Sequence, residues 1–122
     1  MHRKPKILII GHAQHGKDTA ADYITRQTNL KSESSSWYVA KNFIWDFWGK
    51  DKYNSILEMY IDRKSKSNRI IWFNLIAKFL EKDKTKIVRN VFDSGYSIYT
   101  GMRKRDEFEA SRDLFDFIIS LM

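Results

Sequence analysis

The residues with the clearest chemical potential stand near the start of the chain, where the segment Gly11 to Thr19 (GHAQHGKDT) directly follows four large apolar residues, Ile7 to Ile10. Two glycines that frame four residues, followed by a lysine at the start of a helical stretch, are typical of a phosphate-binding loop. Such a loop presents consecutive backbone N–H groups to an anion at a helix N-terminus. The pattern predicts that this segment binds the phosphates of a nucleotide.

Individual side chains of this loop suggest separate roles toward a polyphosphate. Lys17 carries a mobile positive charge for the outer phosphates, and the hydroxyl of Thr19 can reach the innermost one. Asp18 stands where such loops usually have Ser or Thr, and its carboxylate can hold Mg²⁺ directly or through water. The alternative is that Asp18 is a first-turn acid that stabilises the helix dipole. The other predicted cofactor-binding residues are Gly11, His12, Gln14, His15 and Gly16, and the two histidines lack the further ligands of a zinc site.

A second stretch with chemical potential ends at Arg103. This arginine comes just after Gly101, at the carboxyl end of an apolar run that predicts a strand. Ligands of α/β proteins gather outside the carboxyl ends of parallel strands, and the planar guanidinium matches a phosphate. We therefore favour a ligand-binding role over the alternative, a surface arginine beside Lys104 and Arg105.

Two more arginines, Arg63 and Arg69, lie in a helical region between the second and third predicted strands. Either guanidinium could clamp a monophosphate; the alternative is a solvated helix residue with Asp62 or Asp93 nearby. Trp37, Tyr60 and Trp72 lie on apolar stripes, which are more typical of core positions than of base-stacking platforms. Arg63, Arg69 and Trp72 are candidate substrate-binding residues, with these alternatives open.

Length and composition restrict the class of protein. A chain of 122 residues is long enough for one domain with its own core. Lys and Arg total 22 against 15 acidic residues, a net charge of +7 that is spread among acids and helix ends. This distribution favours an anionic small ligand over nucleic acid as the partner. The absence of cysteine excludes disulfides, and no run approaches the roughly 20 apolar residues of a membrane span, so we expect a cytoplasmic protein without membrane contact.

Apolar periodicity predicts strands that alternate with helices. Strands are predicted over residues 6–10, 30–33, 96–100 and 115–121, and the first and last are unalternating apolar runs. Helices are predicted over residues 17–28, 37–48, 53–61, 68–82, 83–95 and 106–114. Ala20, Ala21 and Ile24 form the inward face of the first helix, and Asp106 with Glu109 has the spacing of a capping box.

Strands and helices in this order favour an α/β fold. We expect the three-layer fold of P-loop NTPases, with a parallel sheet between two layers of helices. The whole chain, residues 1–122, forms one domain in this interpretation. A helical insert at about residues 37–94 separates the second strand from the third.

Four features spread over most of the chain carry a family resemblance. They are the Gly11–Thr19 loop with its GKDT ending, the serine triplet at 34–36, the Arg69-x-x-Trp72 helix, and the TGMR run at 100–103 followed by Glu107 and a strand at Phe115–Asp116. In these features the chain resembles the phage deoxynucleoside monophosphate kinases and their adenylate-kinase-like relatives. The resemblance implies phosphoryl transfer from ATP to a nucleoside monophosphate with Mg²⁺, and an insert that closes over the acceptor. It also implies that Arg103 grips the acceptor phosphate, that Lys17 and Arg103 are catalytic, and that the acceptor site begins at Ser36.

The chain departs from that family in two places. Thr100 stands where adenylate-kinase-type members usually carry an acidic residue, and the family continues past the strand at 115–121 into a lid segment with further arginines. We expect the missing arginines to come from Arg63, Arg69 or the second subunit of a homodimer. The alternative is a shortened kinase relative that binds nucleotides without transferring phosphate and acts through binding or a protein partner. Which nucleotide is the acceptor stays open.

Overall fold

The apolar run at the start of the chain forms the middle of a parallel sheet. The computed structural model describes residues 4–11, 16–102 and 104–121, and β1 (Ile7–Gly11) pairs in parallel with β3 (Ile98–Thr100) and with β4 (Phe117–Leu121). On its other side β3 pairs in parallel with β2 (Ser32–Ser34), so the strand order is β2-β3-β1-β4. An unalternating strand suits this position because both of its faces are covered. The predicted α/β class with a parallel sheet is confirmed.

The helices fall between these strands, as the sequence predicts. In chain order they are α1 (Lys17–Thr28), α2 (Ser35–Val39), α3 (Trp45–Phe47), α4 (Ile56–Ile61), α5 (Lys66–Phe79), α6 (Lys86–Asp93) and α7 (Arg105–Ser111). A π-helical turn (Ala40–Ile44) joins α2 to α3. Because a π turn bonds residues five apart, it shifts the apolar face, and Ala40 and Ile44 are buried while Phe47 is 57% exposed.

Both faces of the sheet carry apolar cover. Ala20, Ala21 and Ile24 of α1 pack with Ile7 and Ile9 of β1, as predicted. Side chains alternate along a strand, so Leu8 and Tyr99 point to the opposite face, where Tyr99 meets the ring of Phe92 from α6 with 6.4 Å between centroids. This arrangement is compatible with a three-layer α/β fold.

The described chain divides into two compact units. Residues 1–35 and 84–122 contain the sheet with α1, α6 and α7, and we call them the sheet unit. Residues 36–83 contain the helices from α2 to α5, and we call them the insert unit. The predicted insert of about 37–94 is therefore shorter in the structure, because α6 belongs to the sheet unit.

The start of α7 differs from the prediction. The helix begins at Arg105 after Lys104 as its N-cap, so Asp106 is not an N-cap and the proposed capping box is wrong. The carboxylate of Asp106 accepts instead from the backbone N–H of Glu107 at 2.8 Å and forms an ion pair with Lys84. These partners hold the pKa of Asp106 below its usual range, and the hydrogen bond from Lys84 is the main cause.

The last strand is more exposed than its unalternating apolar run predicts. β4 lies at the edge of the sheet, and Phe117 and Ile118 are 61% and 42% exposed. In the ladder Ile118 is the direct partner of Leu8, which is 0% exposed. Of these two paired residues, Leu8 is therefore fully buried, whereas solvent reaches Ile118.

This contrast predicts the cost of truncating each side chain. Leu8→Ala should lower the free energy of unfolding by about 2–5 kcal/mol, because it removes buried methyl groups and leaves a cavity. Ile118→Ala should lower it by less than half as much, since solvent already reaches that side chain. Urea denaturation of the two variants and of the unchanged protein measures the difference, and equal losses would contradict the assignment of β4 to the edge.

Candidate functional site

The order of the strands creates a switch point between β1 and β3. The connection after β1 runs through α1 to β2 on one side, whereas the connection after β3 runs through α7 to β4 on the other side. Neighbouring parallel strands whose connections leave in opposite directions open a crevice at their carboxyl ends, and ligands of open α/β sheets bind there. The glycine-framed loop and the segment after Thr100 both begin at this crevice.

The described residues include the ends of the predicted phosphate loop. Gly11 ends β1, and a Cβ atom built on it would lie 2.6 Å from the backbone oxygen of Leu121, so only glycine fits against β4. Gly16 is the N-cap of α1 with a left-handed φ of 79°, which glycine adopts without strain. Lys17, Asp18 and Thr19 form the first turn of α1. The predicted contacts of His12, Gln14, His15 and Arg103, and the side chains of Lys17 and Asp18, lie outside the described residues.

The N-terminus of α1 is suited to an anion. Glycine has no side chain that could cap a helix, and Gly16 makes no side-chain hydrogen bond to the first turn. The first N–H groups of a helix have no partner inside it, and they carry the positive end of its dipole. An oxyanion is the ligand that satisfies both conditions.

A buried polar network lies behind the end of β3. The hydroxyl of Ser35 donates to the backbone oxygen of Gly101 at 3.1 Å and also interacts with the hydroxyl of Tyr99. Tyr99 donates to the carboxylate of Glu107 at 3.3 Å, and both side chains are buried. The sequence analysis assigned no site role to Ser35, Tyr99 or Glu107. No local pattern reveals this network, because its members come from three separate elements.

Burial controls the protonation of this network. It raises the pKa of Tyr99 well above the usual value, and the nearby charge of Glu107 adds to this effect. Burial also raises the pKa of Glu107, although the Tyr99 hydroxyl and the charge of Lys104 partly oppose it. Both pKa shifts are in the direction of the neutral form.

The insert unit contains a second group of predicted site residues. Tyr60 of α4 is in contact with four side chains, and we call these five residues the Tyr60 cluster: Ser36, Trp37, Tyr60, Arg63 and Trp72. The hydroxyls of Ser36 and Tyr60 are 2.8 Å apart, and the ring centroids of Trp37 and Trp72 lie 4.8 and 6.1 Å from that of Tyr60. The structure thus places Ser36, Arg63 and Trp72 around one ring, and the sequence analysis assigned that ring to the core.

Arg63 is held in a defined orientation by Tyr60. Its guanidinium carbon lies 3.7 Å from the centroid of the Tyr60 ring, and its Nη1 donates to the Tyr60 backbone oxygen at 2.8 Å. Arg63 is half-buried, and in the described part of the chain it forms no ion pair with the neighbouring Asp62. The Asp62 carboxylate instead accepts from the Tyr53 hydroxyl at 2.6 Å and from the Asn68 amide at 3.0 Å.

Trp72 and Arg69 differ in their surroundings although both lie on α5. Trp72 is only 5% exposed, and its indole N–H finds no acceptor among the described residues. A buried donor without a partner costs about 1–3 kcal/mol. Arg69 is exposed, and its guanidinium has no partner within the described ranges.

Comparison with known protein families, with curated proteins and with solved structures finds no match for this chain. None of the helices in the described part of the chain is long and apolar enough to cross a membrane.

The raised pKa of Glu107 predicts how stability changes with pH. Between the ordinary value of 4.5 and the raised one, the folded state binds more protons than the unfolded state, so the free energy of unfolding falls as pH rises. Glu107→Gln removes this dependence while keeping an acceptor for Tyr99. The stability of the variant relative to the unchanged protein should rise from pH 4.5 by up to about 1.4 kcal/mol per pH unit, and level off above the raised pKa.

Urea denaturation between pH 4 and pH 8 measures this difference. Glu109→Gln changes an exposed carboxylate on the same helix and is the matched control. A stability difference between Glu107→Gln and the unchanged protein that is constant over the whole range would contradict the prediction.

Proposed function

We propose that this chain is a P-loop kinase that transfers the γ-phosphoryl group of ATP to a deoxynucleoside or nucleoside monophosphate. The observation that carries the proposal is the switch point between β1 and β3. At the end of β1 a glycine-framed segment leads into α1. The N-cap of this helix, Gly16, has no side chain that could bond the first N–H groups. The resemblance to phage deoxynucleoside monophosphate kinases supports the same activity and suggests a protein of nucleotide metabolism.

The proposed ATP site is formed by the loop from Gly11 to Thr19. The first backbone N–H groups of α1 would bind the phosphates, and Lys17 would neutralise charge on the outer two. The chain offers the carboxylate of Asp18 as the hard oxygen donor for Mg²⁺, which compensates phosphate charge when it is bound. Phosphoryl transfer depends mostly on position and charge, so these groups supply what the donor side requires.

Five residues are the proposed acceptor-binding residues. Arg103 follows β3 in the sequence. The other four are Ser36, Arg63, Arg69 and Trp72. The fixed guanidinium of Arg63 supports this assignment, because no carboxylate of the described residues neutralises it and a phosphate monoester can.

The proposal predicts activity that depends on Lys17. With ATP and Mg²⁺, a coupled assay over the common deoxynucleoside and ribonucleoside monophosphates should show turnover with at least one acceptor. Lys17→Ala should reduce kcat by about 100- to 1,000-fold, because it removes one preorganised positive charge from the transferred group. Lys31→Ala, at an exposed lysine of the same unit, is the matched control and should keep the activity.

A thermal shift with ATP separates binding from transfer. Stabilisation by ATP without product from any acceptor would contradict the kinase and favour a nucleotide-binding relative without transfer activity. Absence of both stabilisation and product would contradict the nucleotide site itself.

A further inference from the structure

Tyr60 connects the polar groups of the insert unit. Its hydroxyl is hydrogen bonded to that of Ser36, its ring lies beside the guanidinium of Arg63, and the rings of Trp37 and Trp72 pack against it. These partners come from α2, the turn after α4, and α5. One side chain thus fixes groups that lie up to 24 residues away in the chain.

The guanidinium of Arg63 has N–H donors that its described contacts do not use. Arginine has five N–H groups in a rigid plane, and the described contacts of Arg63 use one of them, on the Tyr60 backbone. The guanidinium carbon lies 3.7 Å from the centroid of the Tyr60 ring, and the remaining N–H groups have no hydrogen-bond acceptor in the described part of the chain. A planar edge with several N–H donors matches two oxygens of a phosphate.

The hydroxyl pair and the indole offer donors as well. Ser36 and Tyr60 together have two O–H hydrogens, and their mutual bond uses one, so one is left for another acceptor. The buried N–H of Trp72 also lacks an acceptor. None of Ser36, Tyr60, Arg63 and Trp72 is hydrogen bonded to a carboxylate in the described part of the chain. The unused capacity of this group consists mainly of donors, which is the chemistry that an oxyanion requires.

We propose that Tyr60 is the positioning residue of an oxyanion subsite in the insert unit, which binds the phosphate monoester of the acceptor nucleotide. Tyr60 orients the guanidinium of Arg63 and the hydroxyl of Ser36. The inference rests on the proposed kinase function for the identity of the ligand. The donor arrangement itself does not depend on phosphoryl transfer.

Two substitutions separate the two tasks of Tyr60. Tyr60→Phe keeps the ring beneath Arg63 and removes the bond to Ser36, so the acceptor KM should rise about 2- to 10-fold. Tyr60→Leu also removes the stacking surface, so the acceptor KM should rise by more than 10-fold. The KM for ATP should stay within twofold in both variants. Tyr23→Phe, at an exposed tyrosine of α1, is the matched control and should change neither KM.

A double substitution tests positioning against general damage. If Tyr60 acts through Arg63, Tyr60→Leu should have little further effect on the acceptor KM once Arg63→Ala is present. Parallel increases in the KM for ATP, or full additivity of the two substitutions, would overturn the proposal. An acceptor KM within twofold of the unchanged protein in both Tyr60 variants would overturn it too.

Binding without turnover distinguishes this proposal from the kinase activity. Tryptophan fluorescence, which Trp37 and Trp72 beside Tyr60 can report, follows titration with each nucleoside monophosphate and with the corresponding nucleoside. We expect the monophosphate to bind at least 10-fold more tightly, and Tyr60→Leu to remove most of that preference. This result in a protein that forms no product would contradict the kinase and keep the subsite. Equal binding of nucleoside and monophosphate would overturn the subsite, whatever the activity.

Discussion

The parallel pairing of β1 with β3 and β4 is the constraint on which the rest of the sheet unit depends. Parallel neighbours cannot be joined by a tight hairpin, so every connection must return across the sheet, as α1 and α7 do. The two connections that start at β1 and β3 leave in opposite directions. A loop with glycines at both ends and the turn before α7 therefore begin side by side, without any direct attraction between them.

Buried polar side chains lie beside the turn at the end of β3, where leaving them without hydrogen bonds would destabilise the fold. Ser35, Tyr99 and Glu107 are joined to one another or to the Gly101 backbone by hydrogen bonds. Burial raises the pKa of Glu107, and the hydrogen bond from the Tyr99 hydroxyl partly opposes that shift.

The sequence predicts the elements whose signals are local. The run Ile7–Ile10 and the amphipathic α1 stand within about 20 residues, and the strand and the helix were found close to the predicted bounds. The edge position of β4 was missed because an apolar run does not reveal which strands will flank it. The capping box at Asp106 was wrong because the partner that draws this carboxylate away, Lys84, lies 22 residues earlier.

The contacts of Tyr60 in the insert unit were also missed, because they join residues that are distant in the sequence. Ser36, Arg63 and Trp72 were predicted as substrate-binding candidates from residue type and family resemblance. Tyr60 was predicted to be a core residue, because it lies on an apolar stripe. Its contacts combine both roles. The ring packs against two tryptophans as a core residue does, while its face and its hydroxyl hold polar groups. An aromatic ring is rigid and has few rotamers, so it fixes a guanidinium at a smaller cost in conformational entropy than a flexible acidic side chain would. It also leaves the guanidinium without a carboxylate partner in the described part of the chain.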